Sequence, residues 1–324
     1  MPGFPSSRPS GRPHTGSRLD TLRSPPVPLR SIAMPFPVDL AKTMSPLCRG
    51  AGDPTMRVGL DGVFRATRTP EGPATLHLRS IGYDVVAEAW GPGAPWALES
   101  APDLIGVHDD DGGFRPRHHV IQELWRRHRD ARITRTGAVM QSLIPAILEQ
   151  RVTGTEARRA YRAMVLATSE PAPGDAGLYL PPDPARLAET PYFAFHPWGV
   201  ERRRDETIRT ACAHAAQLEE GTSTSVNQAN ARLLAIPGVG PWTVAEVART
   251  ALGDADAISV GDFHLPNVVC WALAREPRGT DERMLELLEP YRGQRGRVQV
   301  LLEAGNVSAP SFGPRMEVRS IERI

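Results

Sequence analysis

An aspartate, Asp262, follows about twenty residues after a glycine- and proline-rich turn at residues 234–243, whose sequence is Leu-Ala-Ile-Pro-Gly-Val-Gly-Pro-Trp-Thr. A carboxylate beside a sugar carbon can stabilise the oxocarbenium-like cation that forms when a glycosidic bond breaks, and it can orient the attacking water. Asp262 is therefore a candidate catalytic residue for the cleavage of an N-glycosidic bond. Its position before an apolar helix also suits a helix N-cap, and the two roles are compatible.

The turn itself predicts a helix–hairpin–helix element that can bind phosphate. Pro237 ends the first helix, and Gly238 and Gly240 allow backbone conformations or close approaches that a Cβ would block. Pro241 suits the first turn of the second helix, where its missing N–H costs nothing. The free N–H groups of such a turn, assisted by the helix dipole, can point at a phosphate.

The hairpin and the spaced aspartate together resemble the helix-hairpin-helix (HhH-GPD) DNA glycosylase superfamily, and the spacing resembles its 3-methyladenine DNA glycosylase II branch. The resemblance is strongest between Ala231 and Trp271. It implies that the hairpin grips the DNA backbone and that Asp262 lies beside the sugar of a damaged nucleotide. The residues of the hairpin that are then candidates for DNA binding are Gly238, Val239, Gly240 and Thr243.

Trp242 separates two mechanisms. In bifunctional relatives the corresponding position holds a lysine that attacks C1′, whereas this chain has a tryptophan there and Lys42 is its only lysine. The resemblance therefore implies a monofunctional enzyme without AP lyase activity. An indole face attracts a positively charged base by about 0.5–2 kcal/mol. Trp242 is thus a candidate pocket residue for alkylated purines of the 3-methyladenine and 7-methylguanine type.

The segment 143–153 resembles the helix and wedge loop with which relatives extrude a base. Gln150 and Arg151 are the candidate DNA contacts here, because an arginine can either fill the gap in the duplex or contact phosphate. The aromatic segment 192–198 suits a pocket wall or a hydrophobic core, and residue statistics favour the core. The final helix, predicted over 294–304, lacks the aromatic residue that glycosylase II relatives place there.

The bulk composition excludes few classes of protein. The 324 residues carry a net charge of only +1, but arginines cluster at residues 118–135, 202–209 and 292–297, as phosphate contacts or as solvated helix faces. Cys48, Cys212 and Cys270 match neither a disulfide framework nor a metal site, which favours a reducing compartment. No stretch has the roughly 20 apolar residues of a membrane span.

We expect a monomer whose partner is double-stranded DNA with damaged bases, in the cytoplasm and associated with the nucleoid. No metal or organic cofactor is expected for the chemistry. The resemblance implies that backbone carbonyls of the hairpin can hold a monovalent cation with a structural role. Three alternatives stay open: a non-catalytic helix-hairpin-helix DNA-binding module, an inactive lesion sensor, and a glycosylase for oxidised or mispaired bases. A binding module needs the hairpin but not the spaced Asp262.

The element pattern predicts an α+β fold, in which a small N-terminal antiparallel sheet precedes a mostly α-helical HhH-GPD core. Residues 1–33, rich in Pro, Ser and Arg, are predicted to be a disordered extension. A start at Met34 and an organelle transit peptide are alternatives for that segment. The remaining predicted parts are an α/β domain at 34–110, the helical glycosylase domain at 111–305 and a tail at 306–324. Predicted strands are 56–60, 63–68, 74–79 and 84–90, and the predicted helices include 137–150, 200–219, 225–235 and 242–252.

Overall fold

The computed structural model describes residues 27–311 and the isolated Gly3. It confirms the α+β prediction: a five-stranded antiparallel sheet precedes a helical region, and the strand order is β1-β5-β4-β3-β2. Two-residue turns join the last four strands, which fixes their register. The strands are β1 Leu29–Ala33, β2 Met56–Gly59, β3 Gly62–Thr69, β4 Gly72–Ile81 and β5 Asp84–Trp90.

The predicted disordered extension is wrong at its C-terminal end. Leu29–Ala33 forms the edge strand β1 and pairs with β5, from Leu29 opposite Glu88 to Ala33 opposite Asp84. Only Ile32 of this strand is buried, so the segment lacks the alternation that predicts a strand. The open edge of β5 provides the partner instead. The rest of the predicted extension, Gly3 apart, lies outside the described residues, as do residues 312–324 of the predicted tail.

Helices α1 (Leu40–Met44) and α2 (Ala94–Leu104) cover one face of the sheet and bury its apolar side chains, such as Leu76, Leu78 and Val85. The helical region that follows contains two further hydrophobic cores. One core joins α4, α5, α8, α10 and α11, and the other joins α3, α12, α13 and α14. The helices are α1 Leu40–Met44, α2 Ala94–Leu104, α3 His119–His128, α4 Val139–Leu148, α5 Gly154–Thr168, α6 Pro184–Glu189, α7 Tyr192–Phe195, α8 Arg202–Ala213, α9 Ala215–Glu219, α10 Val226–Leu234, α11 Pro241–Val247, α12 Leu265–Ala274, α13 Asp281–Leu288 and α14 Arg295–Ala304.

Two predicted helices differ from the observed ones. The segment predicted as one helix over 200–219 is split into α8 and α9 by His214, whose backbone leaves the helical conformation. The helix predicted over 242–252 is α-helical only as far as Val247 and continues as a π-helical turn over Ala248–Leu252. The wider turn rotates the side chains that follow it relative to those of α11.

Several arginines of the three clusters lie inside the protein. Arg132 and Arg297 are 3% and 1% exposed and share the carboxylate of Asp109, at 3.2 and 2.5 Å. Arg204 is 4% exposed and donates to the carbonyl of Leu148 at 2.8 Å. For these residues the phosphate-binding interpretation is wrong, because a buried guanidinium is satisfied by internal acceptors. In the part of the chain that the structure describes, the helices are too short or too polar to cross a membrane.

Candidate active site at the hairpin

The hairpin between α10 and α11 brings its two glycines into different environments. Gly238 has φ +88°, and a Cβ added there would lie 2.1 Å from Thr207 Oγ1 on α8. The predicted need for glycine is therefore confirmed at this position. Gly240 has φ −110°, and a Cβ there would meet open space. The fold itself does not require a glycine at residue 240.

The backbone N–H groups of the hairpin are only partly used inside the protein. Val239 N–H donates to the carbonyl of Ile236 at 3.0 Å, and the Val239 side chain is 7% exposed and packs in the core. These contacts argue against a DNA contact by the side chain or N–H of Val239. Within residues 27–311 the N–H groups of Gly238 and Gly240 have no acceptor. They are two hairpin donors that remain available to an external ligand.

Gln150 ties the loop after α4 to the hairpin. Its Nε2 donates to the carbonyl of Gly238 at 3.1 Å and to Thr243 Oγ1 at 2.9 Å. An amide nitrogen carries two N–H groups, so both donors are committed inside the protein. Thr243, a second predicted DNA-binding residue, is 2% exposed and serves as one of these acceptors. Gln150 and Thr243 therefore bond to each other within the protein, and their contact with DNA stays a prediction.

Arg151 lies exposed in the loop between α4 and α5, next to this contact. Its backbone has φ +57°, a left-handed conformation that non-glycine residues rarely adopt. Such a conformation costs on the order of 1–3 kcal/mol and is often found at functional sites. The predicted wedge position thus projects a cation from a strained turn that Gln150 anchors to the hairpin.

Asp262 and Trp242, predicted separately, are in direct contact. Trp242 Nε1 donates to Asp262 Oδ2 at 3.0 Å. The other oxygen, Oδ1, accepts from the N–H groups of His264 and Leu265 at 2.7 and 2.8 Å. The N-cap of α12 is His264, so the predicted N-cap position of Asp262 is two residues too early, although its carboxylate still bonds the N–H groups at the start of the helix. Three N–H donors thus fix the orientation of a half-buried carboxylate. The indole is half-buried and its N–H is committed to Asp262, which leaves the ring faces as the part of Trp242 that a base can contact.

A further contact, between Gly261 and Asp281, holds the loop that carries Asp262. Gly261 has φ +87°, and its N–H donates to both oxygens of Asp281, the first residue of α13, at 3.1 and 3.0 Å. Phe263, directly after Asp262, is 76% exposed and packs edge-on against His264. Phe263 is not among the residues predicted for the site. Its signal in the sequence is an aromatic residue directly after Asp262 and before the apolar helix α12.

The aromatic segment 192–198 belongs mainly to the core. Phe195 is fully buried and packs against Trp198 with ring centroids 5.0 Å apart, whereas Phe193 is 75% exposed.

A groove of about 740 Å³ lies elsewhere, between β2 and α5, and neither Trp242 nor Asp262 lines it. Among the described residues, no group of three or more His, Cys, Asp or Glu side chains could hold a metal ion. Cys48, Cys212 and Cys270 are free thiols.

Comparison with known proteins gives the same fold. The 3-methyladenine DNA-glycosylase of Archaeoglobus fulgidus superimposes with a TM-score of 0.74 at 17% identity, covering 86% of this chain and 98% of that one. The 8-oxoguanine glycosylase/lyase of Clostridium acetobutylicum, in complex with DNA, superimposes with a TM-score of 0.65 at 14% identity, covering 83% and 93%. No protein-family model matches the chain.

A sequence relative is the probable bifunctional transcriptional activator/DNA repair enzyme AlkA of Mycobacterium tuberculosis, 31% identical over 138 residues. The match covers 41% of this chain but only 27% of that protein, so this chain corresponds to about a quarter of the relative's length. The chain therefore has the fold of these two DNA glycosylases, and over 138 residues its sequence is similar to AlkA, in agreement with the predicted resemblance.

The two hairpin glycines predict opposite outcomes for the same substitution. Gly238→Ala should lower the free energy of unfolding by about 1–3 kcal/mol or more. The alanine would have to adopt a left-handed backbone conformation, and its Cβ would clash with Thr207. Gly240→Ala should leave the free energy of unfolding within about 0.5 kcal/mol of the unmodified chain. Urea denaturation of both variants measures the difference. Equal losses would contradict the different environments described above.

Proposed function

We propose that the protein is a monofunctional DNA glycosylase of base excision repair that hydrolyses the N-glycosidic bond of alkylated purines, of the 3-methyladenine and 7-methylguanine type. The observation that carries the proposal is the 3.0 Å contact between Trp242 and Asp262. It places a fixed carboxylate and an indole ring beside the hairpin whose free N–H groups suit a phosphate. A non-catalytic binding module, the alternative, needs the hairpin but no carboxylate beside it, and a lesion sensor differs from an enzyme in releasing no base.

The chemistry follows from what Asp262 can stabilise. As the base leaves, positive charge develops on the deoxyribose ring, and an ionised carboxylate lowers the energy of that state. Asp262 is held by three donors before substrate arrives, so little reorganisation is needed during the reaction. Water then attacks C1′ with Asp262 as the group that orients it. Purines alkylated at N3 or N7 are cationic and leave readily, so a strong general acid is unnecessary.

DNA binding in this proposal uses backbone and side-chain donors together. The N–H groups of Gly238 and Gly240 bind a phosphate, and the absence of a side chain at residue 240 lets the DNA backbone approach closely. Arg151 contacts the gap that the extruded base leaves. A monovalent cation at the hairpin carbonyls, where one carbonyl already accepts from Gln150, belongs to the proposal as a structural element only. We further propose a monomer that works in the cytoplasm on nucleoid DNA.

The absence of lyase activity rests on the lysine content of the chain. Lys42, the only lysine, lies on α1 and pairs with Asp39 and Asp130 at 3.0 and 3.3 Å. Burial disfavours its charge, but the hydrogen bonds to these two carboxylates outweigh burial and raise the pKa of Lys42. A protonated amine is not a nucleophile. Trp242 occupies the place where a bifunctional relative has its lysine.

The first test is base release by Asp262→Asn. The amide oxygen can still accept from the N–H groups at the start of α12, but the amide NH₂ then faces the Trp242 N–H and carries no negative charge. We expect single-turnover release of 3-methyladenine and 7-methylguanine from alkylated DNA to fall by at least about 10²–10³-fold. Asp183→Asn is a matched control, because the Asp183 carboxylate also accepts from a backbone N–H at the start of a helix, α6. Undiminished release by Asp262→Asn would remove Asp262 from the reaction, and an inactive unmodified protein would favour the binding-module alternative.

A second test concerns the reaction type. The product should be an intact strand with an abasic site that breaks only after alkali treatment. Borohydride added during turnover should trap no covalent protein–DNA adduct, because no amine attacks C1′. A bifunctional 8-oxoguanine glycosylase/lyase assayed on its own substrate serves as the positive control. A trapped adduct would overturn the monofunctional assignment without affecting the role of Asp262.

A third test separates the wedge from a phosphate contact at Arg151. If its side chain enters the gap in the duplex, Arg151→Ala should weaken binding to duplex with an abasic-site analogue by about tenfold, which is about 1.4 kcal/mol. Binding to undamaged duplex of the same length should change much less. Fluorescence anisotropy at one fixed salt concentration measures both affinities. Equal losses on the two duplexes would indicate a phosphate contact instead.

A further inference from the structure

The loop from Ser259 to Asp262 is attached to α11 at both of its ends. The hydroxyl of Ser259, 1% exposed, donates to Glu246 Oε1 at 2.5 Å, while Trp242 donates to Asp262 at 3.0 Å. Trp242 and Glu246 are four residues apart, so they lie on the same side of the helix, one turn apart. One helix face therefore sets the position of both ends of the loop.

Glu246 is itself held in a fixed orientation. Nη2 of Arg249, a residue only 5% exposed, donates to both oxygens of Glu246 at 2.9 and 2.8 Å. The other terminal nitrogen of Arg249 donates to Glu303 on α14 at 3.1 and 3.2 Å. Burial disfavours the charged guanidinium, but the two carboxylates outweigh it and raise the pKa of Arg249. A permanently charged anchor thus fixes the carboxylate that holds Ser259.

The helix departs from α geometry where this anchor sits. The turn Ala248–Leu252 is π-helical, and Thr250 Oγ1 donates to the carbonyl of Glu246 at 2.7 Å. π-turns are rare and are found frequently at functional sites. Here the wider turn includes Arg249, which reaches Glu246 on one side and Glu303 on the other. The irregularity therefore coincides with the contact that holds the loop of Asp262.

We infer that Glu246 is a positioning residue, which holds Asp262 at the reacting sugar through the hydroxyl of Ser259. The inference rests on the proposed function for its effect on catalysis, but not for its effect on the loop. Without the Ser259 contact, the loop keeps the bond from Trp242, the bond from Gly261 to Asp281 and the bonds of Asp262 at the start of α12, but it loses its attachment to Glu246. A carboxylate displaced by a fraction of an ångström stabilises the developing cation less well, while DNA affinity does not depend on it.

Ser259→Ala tests this contact with the smallest possible change. It removes one hydroxyl and leaves the Glu246–Arg249–Glu303 ion pairs in place. We expect single-turnover base release to fall by about tenfold, with an unchanged Kd for lesion DNA. Ser142→Ala is the matched control: its buried hydroxyl bonds to Thr250 in the same π-helical turn at 3.0 Å but does not touch the loop. This control should keep the rate of the unmodified protein.

A second measurement does not depend on activity. The indole N–H of Trp242 gives a distinct NMR signal, which Trp242→Phe identifies by its loss. Its exchange with solvent should become faster in Ser259→Ala and stay unchanged in Ser142→Ala, because only the first substitution loosens the loop. Unchanged release and unchanged exchange in Ser259→Ala, or equal effects in the control, would overturn the inference. An unmodified protein that releases no base would instead overturn the proposed function, and the exchange measurement would still test the positioning.

Discussion

The hydrogen bond from the Trp242 indole to Asp262 joins two parts of the protein that have separate hydrophobic cores. Trp242 lies in the first turn of α11, which packs with α4 and α10, whereas Asp262 lies just before α12, which packs with α13 and α14. Neither core alone positions both residues. The geometry of the site therefore depends on how the two cores pack against each other. Ion pairs of a buried arginine link the two cores. Arg249 connects Glu246 of the first part with Glu303 of the second.

The residues around Asp262 have structural roles that are independent of any reaction. The carboxylate accepts from the N–H groups at the start of α12 with one oxygen and from the indole with the other. The left-handed backbone of Gly261 turns its N–H towards Asp281. If the proposed function is right, substitutions here change the rate of the reaction and the stability of the fold together, so both have to be measured.

The sequence predicted those parts of the site that depend on residues close to each other along the chain. A proline and glycines mark the hairpin, and an aspartate before an apolar helix marks the start of α12, so these positions were accessible from the chain alone. The internal roles of Gln150 and Val239 were not, because they depend on which acceptors the folded chain brings near. Strand β1 was missed for the same reason: its partner lies more than fifty residues away. Arginine clusters look alike in sequence whether they face solvent or share a buried aspartate.

The amide of Gln150 has a mechanical consequence. Because both of its N–H groups are bonded to the hairpin, the turn that carries Arg151 and the turn that carries Gly238 are tied directly to each other. In the proposed function the two turns would meet the DNA together, so a substitution of Gln150 would alter the hairpin and the position of Arg151 at the same time.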